Sequence, residues 1–134
     1  MSDFSIDPTK STRGDETMDN PDFLESVAES RIHFLSMLAA KIQETNSALA
    51  HMVIGDAYSI CAVEDAYRRF HDLCGISATA GLDVTCRVAR TIDAILSVPF
   101  RARRGLSLSE LDKLKNSLQL LQLTASNEMR SKEF

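Results

Sequence analysis

Among the three histidines of this 134-residue chain, one stands in a pattern that can support nucleophilic chemistry. His71 follows Glu64 and Arg68 and precedes Gly75 and Ala78, each step being three or four residues. On a helix these positions form one strip, because residues three and four apart are surface neighbours. The strip lies beside a core-facing side made by Val63, Tyr67, Phe70, Cys74 and Ser77. Glycine inside a helix costs about 1 kcal/mol relative to alanine, so Gly75 calls for a packing or access reason. Clearing the ground beside an imidazole, so that a partner's surface can approach, is one such reason. A surface histidine beside an incidental glycine is the plainer alternative, and the strip alone does not separate the two. His33 and His51 have no glycine-cleared strip and read as ordinary surface or boundary residues.

A histidine acts as a nucleophile through one ring nitrogen when the other is held as a donor, usually to a carboxylate. Gly81 is a natural helix stop, and a hairpin turning there sets residues equally distant from it face to face. His71 lies ten positions before Gly81, so its counterpart falls at residues 90 to 93. At 1.5 Å per residue both are about 15 Å from the turn. Arg90 and Asp93 share one flank of that stretch, at the border of its apolar face, which brings Asp93 within reach of the imidazole. Such a carboxylate fixes the tautomer and steadies positive charge as the ring attacks an electrophile. The alternative is an intrahelical Arg90–Asp93 pair, worth a few tenths of a kcal/mol.

The elements that would position these residues are helical throughout. Asn20 and Pro21 suit an N-cap and first helical position. Phe23, Val27, Phe34, Leu38 and Ile42, with Leu24, Ala28 and Leu35 beside them, make an apolar stripe for a helix from about residue 21 to 46. Residues 47 to 55 either extend it or form a short turn ended by Gly55. A second helix starts between Asp56 and Cys61 and stops at Gly81. A third, capped by Asp83, carries Val84, Val88, Ile92 and Ile95 and ends at Pro99. Ser107 and Glu110 form a capping box, with Leu106 and Leu111 placed for a hydrophobic staple. The fourth helix follows with Leu111, Leu114, Leu118 and Leu121 and fades after Thr124. No β-type alternation, Gly-rich loop or repeat interrupts this. The fold expected is all-α, an up-and-down antiparallel four-helix bundle over residues 20–125. A disordered tail over 1–19 and a polar tail over 126–134 flank it.

Composition narrows the function. The net charge of −4 argues against a nucleic-acid binder. The basic cluster Arg101, Arg103 and Arg104 reads first as a solvated connection, ahead of a phosphate-binding patch. No apolar run is long enough to span a bilayer, and the acidic N-terminus does not resemble a signal peptide, so a cytoplasmic protein is expected. Cys61, Cys74 and Cys86 lack CxxC spacing and read as small buried residues in a reducing compartment. A metal site from Cys61, His71, Cys74 and Cys86 finds no familiar ligand spacing in its favour, and no metal is expected.

The segment from His71 through Gly75, Thr79 and Gly81 to Leu82 resembles the phosphoacceptor signature of histidine phosphotransfer (HPt) domains. It is most like the amino-terminal domain of chemotaxis histidine kinases. There the histidine is followed by lysine and glycine three and four positions on, then by threonine and glycine. The stretch from Val88 to Leu96 is similar to the family's third helix, with Asp93 at its acidic position and Arg90 where histidine is often found. The likeness covers roughly residues 23–123. It implies His71 as phosphoacceptor, Asp93 as orienting carboxylate, and a docking surface of Arg68, Asp72, Gly75 and Ala78. It also implies exchange of the phosphoryl group with the aspartate of a response-regulator receiver domain, and contact with a histidine kinase. Cys74 replaces the family's lysine, leaving Arg68 or Arg90 as candidate cations for the phosphoryl group. The chain would be a monomeric carrier without ATP-binding motifs, not an enzyme, with Mg²⁺ supplied by the receiver. A helical adaptor that carries no phosphoryl group is the rival reading, and Cys74 is its best support.

Overall fold

The computed structural model describes residues 21–132, with side chains over 28–131; the expected tail at 1–19 and the Asn20 cap lie outside the described residues. The described chain is helical apart from short connections, and its only β feature is an isolated bridge. Helix α1 covers Pro21–Ala48 and passes into a 3-10 turn at Leu49–His51. Then come α2 (Ser59–His71), α3 (Leu73–Thr79), α4 (Asp83–Ala102) and α5 (Leu108–Lys132).

Sequence pattern accounts for the buried faces, with corrections. Phe34, Leu38 and Ile42 of α1 are buried, whereas Ala28 is exposed; the side chains of Phe23, Leu24 and Val27 lie outside the described residues. Val63, Ala66, Phe70, Leu73 and Ser77 are buried along α2 and α3, and Tyr67 and Cys74 are half-buried at the edge. The inward face of α4 is rotated from the expected one. Cys86, Ala89, Ile92, Leu96 and Pro99 are buried, while Val84 is exposed and Val88 and Ile95 are half-buried. Leu114, Leu118 and Leu121 of α5 complete the core, and so do Ala125 and Met129. The apolar pattern alone ends this helix near Thr124; the structure carries it to Lys132, because Ala125 and Met129 continue the buried face where a polar tail is expected.

Helix ends show where local chemistry decides and where tertiary contact overrides it. At Gly81, with φ +79°, the amide of Leu82 donates to Ser77 O at 2.9 Å and that of Gly81 to Ala78 O at 3.0 Å. A left-handed glycine closes the helix in this way by satisfying its last carbonyls. The capping box forms: the Glu110 amide donates to Ser107 Oγ at 3.1 Å, and the Ser107 amide to Glu110 Oε1 at 2.9 Å. Asp83, by contrast, does not cap α4. The Glu128 carboxylate reaches across from α5 and accepts from the amides of Val84 and Thr85 and from the Thr85 hydroxyl. An anionic oxygen at a helix N-terminus meets both the free N–H groups and the positive end of the dipole. Pro99 does not end α4 either, since it falls in the last turns, where only one backbone bond is lost. The helix stops after Ala102, with Arg103 in the left-handed region at φ 54°.

The segment after α1 turns through Gly55 (φ +102°) and joins the α4–α5 connection. Val53 bridges Leu106 in parallel, with Ile54 N to Leu106 O at 2.9 Å and Leu106 N to Met52 O at 2.7 Å. Gly105 permits this crossing: a Cβ there would stand 2.8 Å from Ile54 N, Met52 O and Ser59 Cβ. The basic connection is not merely solvated, because Arg104 makes two bonds to the Glu110 carboxylate, at 2.7 and 3.0 Å. Helix α1 is held to its neighbours by Arg31 Nε to Ala80 O at 3.1 Å and by Arg69 Nε to Glu44 Oε1 at 3.3 Å. No helix among the described residues is long and apolar enough to cross a membrane.

Candidate functional site

His71 is the last residue of α2, and Asp72, at φ −91° and ψ 0°, separates α2 from α3. The second helix is therefore two segments rather than one, though the Ile76 amide still donates to Asp72 O at 3.1 Å and keeps the faces nearly in line. Helices α3 and α4 are joined by the Gly81 turn, so α2, α3 and α4 make one hairpin whose arms pack together. Across it, His71 Nδ1 and Asp93 Oδ1 are 3.1 Å apart. An ionised carboxylate only accepts hydrogen bonds, so in the neutral ring this contact assigns the proton to Nδ1 and leaves Nε2 with its lone pair. The Asp93–Arg90 pair that would compete for the carboxylate is not formed; Arg90 Nη2 instead lies 3.4 Å from Cys74 Sγ.

The ring is also held by its face. Tyr67, one turn back on α2, stacks on His71 with centroids 4.9 Å apart and planes inclined by 29°. Tyr67 in turn stacks on Phe100 of α4 at 4.1 Å and 11°. Tyr67, backed by Phe100, and one carboxylate thus fix the plane of an imidazole whose side chain is still 54% exposed. Sequence reasoning places Tyr67 in the core and gives Phe100 no role. The signal available was the i, i+4 spacing of Tyr67 and His71, which brings two rings together on any helix.

The remaining candidates are distributed unevenly around the ring. Gly75 is exposed, and a Cβ there would meet no atom within 4 Å, so the ground beside His71 is open. Asp72 and Ala78 are exposed as well. Arg68 is exposed but drawn one turn back, its Nη2 being 3.3 Å from Glu64 Oε2. Thr79 bonds its own helix, Oγ1 to Gly75 O at 2.9 Å.

The cysteines depart from their expected character. Cys61 is exposed, and Cys74 and Cys86 form a disulfide between α3 and α4. The hairpin count that faces His71 with residues 90 to 93 also sets Cys74 opposite the first turns of α4, so the pair was available to sequence reasoning. Among the described residues no group of three or more His, Cys, Asp or Glu side chains is arranged to hold a metal ion, and Cys74 and Cys86 are bonded to each other.

Chemically, the site offers one exposed imidazole nitrogen as a nucleophile, a carboxylate to steady the cation formed on attack, and cleared surface for the electrophile's carrier. Compared with known proteins, the chain matches no family model, and neither curated proteins nor solved structures show significant similarity to it.

Proposed function

We propose that the protein is a histidine phosphotransfer protein of a two-component phosphorelay, with His71 as phosphoacceptor. Nε2 attacks the phosphorus of an aspartyl phosphate on a response-regulator receiver domain, and the aspartate carboxylate leaves with the bonding pair. Asp93 accepts the Nδ1 proton as a hydrogen bond throughout and steadies the charge on the ring; the reverse step returns the phosphoryl group to the aspartate. Phosphoryl transfer depends on in-line positioning and charge neutralisation, much of which a Mg²⁺ ion held by the receiver can supply. This is why a carrier needs little machinery of its own. The observation that carries the reading is the His71 ring, fixed through Nδ1 at 3.1 Å and left exposed beside an open Gly75. The resemblance of residues 71–82 and 88–96 to the phosphotransfer signature supports it.

In this reading the helices form an up-and-down antiparallel four-helix bundle, α2 and α3 counting as one. The protein is a cytoplasmic monomer and a relay intermediate rather than a kinase. The receiver docks over Arg68, Asp72, Gly75 and Ala78. Arg90, across the hairpin, is the better placed cation, because Arg68 already faces Glu64. One observation favours a second reading, an adaptor that binds signalling partners without carrying a phosphoryl group: the position of the family's lysine is Cys74, tied up with Cys86.

Incubation of the full chain with a phosphorylated receiver or histidine kinase from the same organism separates the two. Acid-labile label on the wild type, absent from His71→Gln, is the expected result. Equal label on both proteins, or none on either with a partner shown to bind, would remove His71 from the role.

A further inference from the structure

The sulfur of Cys74 has two neighbours on α4, one turn apart: Cys86, to which it is bonded, and Arg90, whose Nη2 lies 3.4 Å away. His71 and Asp93 repeat the arrangement one turn further from the hairpin, since His71 precedes Cys74 by three residues and Asp93 follows Arg90 by three. The two contacts are adjacent rungs of one ladder. We propose that Cys74 and Cys86 are a reversible dithiol–disulfide couple that sets whether Arg90 is available to the phosphoryl group on His71. The inference rests on the phosphotransfer reading of His71.

The chemistry is thiol–disulfide exchange with a small-molecule disulfide, RSSR. The Cys74 thiolate attacks one sulfur of RSSR and expels RS⁻; the Cys86 thiolate then displaces the second RS⁻ from the mixed disulfide. The protein dithiol gives up two electrons, RSSR is reduced to two thiols, and the two protons lost by the cysteines pass to them. Cys74 is the attacking sulfur because it is half-buried at the surface and faces a guanidinium, the setting that favours thiolate chemistry. Cys86 is buried and resolves the intermediate.

The electrostatic consequence follows from what Arg90 can pair with. No acidic side chain is paired with it among the described residues. In the oxidised protein the neighbouring sulfur is neutral and a weak acceptor, so the exposed guanidinium keeps its strong donors for an incoming phosphoryl group. Reduction frees a thiol beside it, and the guanidinium favours that thiol's thiolate form. That thiolate claims the cation and adds negative charge one turn from His71, where a phosphoryl group carries close to two negative charges. Oxidation therefore favours the phosphorylated state and reduction disfavours it.

Full-length protein equilibrated in glutathione buffers of graded ratio, then alkylated and weighed, reads the couple directly. Cys74 and Cys86 should pass between blocked and unblocked together and without added glutathione mass, whereas Cys61, free and exposed, is either alkylated or carries a single glutathione. A bond that stays closed in millimolar reduced glutathione, or never forms in the oxidised buffer, overturns reversibility. Labelling of His71 by phosphoramidate, which needs no partner protein, should then be roughly two- to fivefold faster in the oxidised form, the scale of a screened charge near the surface. Equal rates in the two forms, or faster labelling after reduction, overturn the proposal. Two variants that both lack the disulfide separate charge from stapling. In reduced glutathione alone, with no RSSR present, Cys86→Ala should label at the slow rate and Cys74→Ala at the fast rate; identical rates for the two overturn the role of Arg90. NMR keeps the outcome distinct from failure of the phosphotransfer reading. If neither form is labelled, a redox-dependent shift of the Arg90 Nε–H and His71 ring signals supports the couple and removes the phosphoryl role. Unchanged signals overturn the couple's link to this site.

Discussion

Among the described residues, two histidine–aspartate contacts each have a tyrosine beside them, and they are almost equally exposed. His51 Nδ1 lies 3.4 Å from Asp56, with side chains 57% and 29% exposed; His71 Nδ1 lies 3.1 Å from Asp93, with 54% and 32%. Residue types and exposure therefore do not tell them apart. Their construction does. Asp56 sits five residues after His51 in the same loop and already accepts from the Tyr58 amide at 2.8 Å, the bond of an Asx turn. Tyr58 meets His51 only edge-on, at 5.9 Å. Asp93 comes from another helix, and among the described residues its one side-chain hydrogen bond is to His71, whose ring Tyr67 covers face to face. A carboxylate whose bond to the ring spans two helices and serves no turn is better explained by the imidazole than by the fold.

The sharpest way to break this comparison is to disable each carboxylate in turn. On the phosphotransfer proposal, Asp93→Asn should slow phosphoryl transfer by roughly ten- to a hundredfold, the scale on which losing a ring's orienting partner acts, while Asp56→Asn leaves transfer within experimental error in the same kinetic assay. Equal losses would erase the distinction. Next in size is Gly105→Ala, which forces a methyl against the backbone of Met52 and Ile54, beside the His51 loop. It should lower unfolding free energy by about 1–3 kcal/mol in denaturant titration, as overpacking does, with faster amide exchange around residues 52–56 than around His71. Removing the rings comes third. Tyr67→Leu should reduce the transfer rate about two- to tenfold, in line with the worth of an aromatic pair, whereas Tyr58→Leu should not.

The smallest effect is a pH dependence. Hydrogen bonds from Arg104 hold the Glu110 carboxyl down at about 2, against the opposing effect of burial, with the Ser107 amide and hydroxyl assisting. A depressed carboxyl contributes stability that is fully present above its unfolded pKa, near 4.5, and fades as pH falls toward 2. Unfolding of wild type should thus weaken with acid across that window, and the Glu110→Gln difference should shrink with it. A difference that persists unchanged at pH 2 would contradict the assignment.

Features that depend on a few neighbouring residues were legible in the sequence. The Ser107–Glu110 box and the Gly81 stop form as their local chemistry dictates, and counting outward from Gly81 brings Asp93 opposite His71. What escaped depends on distant partners. Nothing near Asp83 announces that Glu128 will cap α4, and nothing near Pro99 shows that the chain still has a turn to make before Arg103. Cys74 and Cys86 escaped for a different reason. Their spacing matches no local motif, and only the hairpin register, applied to sulfur as it was to the imidazole, pairs them. The face of α4 differs from the one its apolar pattern suggests because Val84 and Val88 are apolar in type but lie outside the arc that Ala89, Ile92 and Leu96 turn toward the core.

The bridge between Val53 and Leu106 has a topological consequence for the whole of this ladder. It pins together the two points at which the chain enters and leaves the segment containing α2, α3 and α4. Everything that shapes the surroundings of His71 therefore lies on a closed circuit, with α1 and α5 attached outside its clasp. Closing a flexible loop costs entropy that grows only logarithmically with its length, so one clasp can hold a long circuit shut. Adjacent chain ends are also what lets a segment be moved into another host or have its termini rejoined. The histidine-bearing hairpin thus has its two chain ends clasped together, while its core stays shared with α1 and α5.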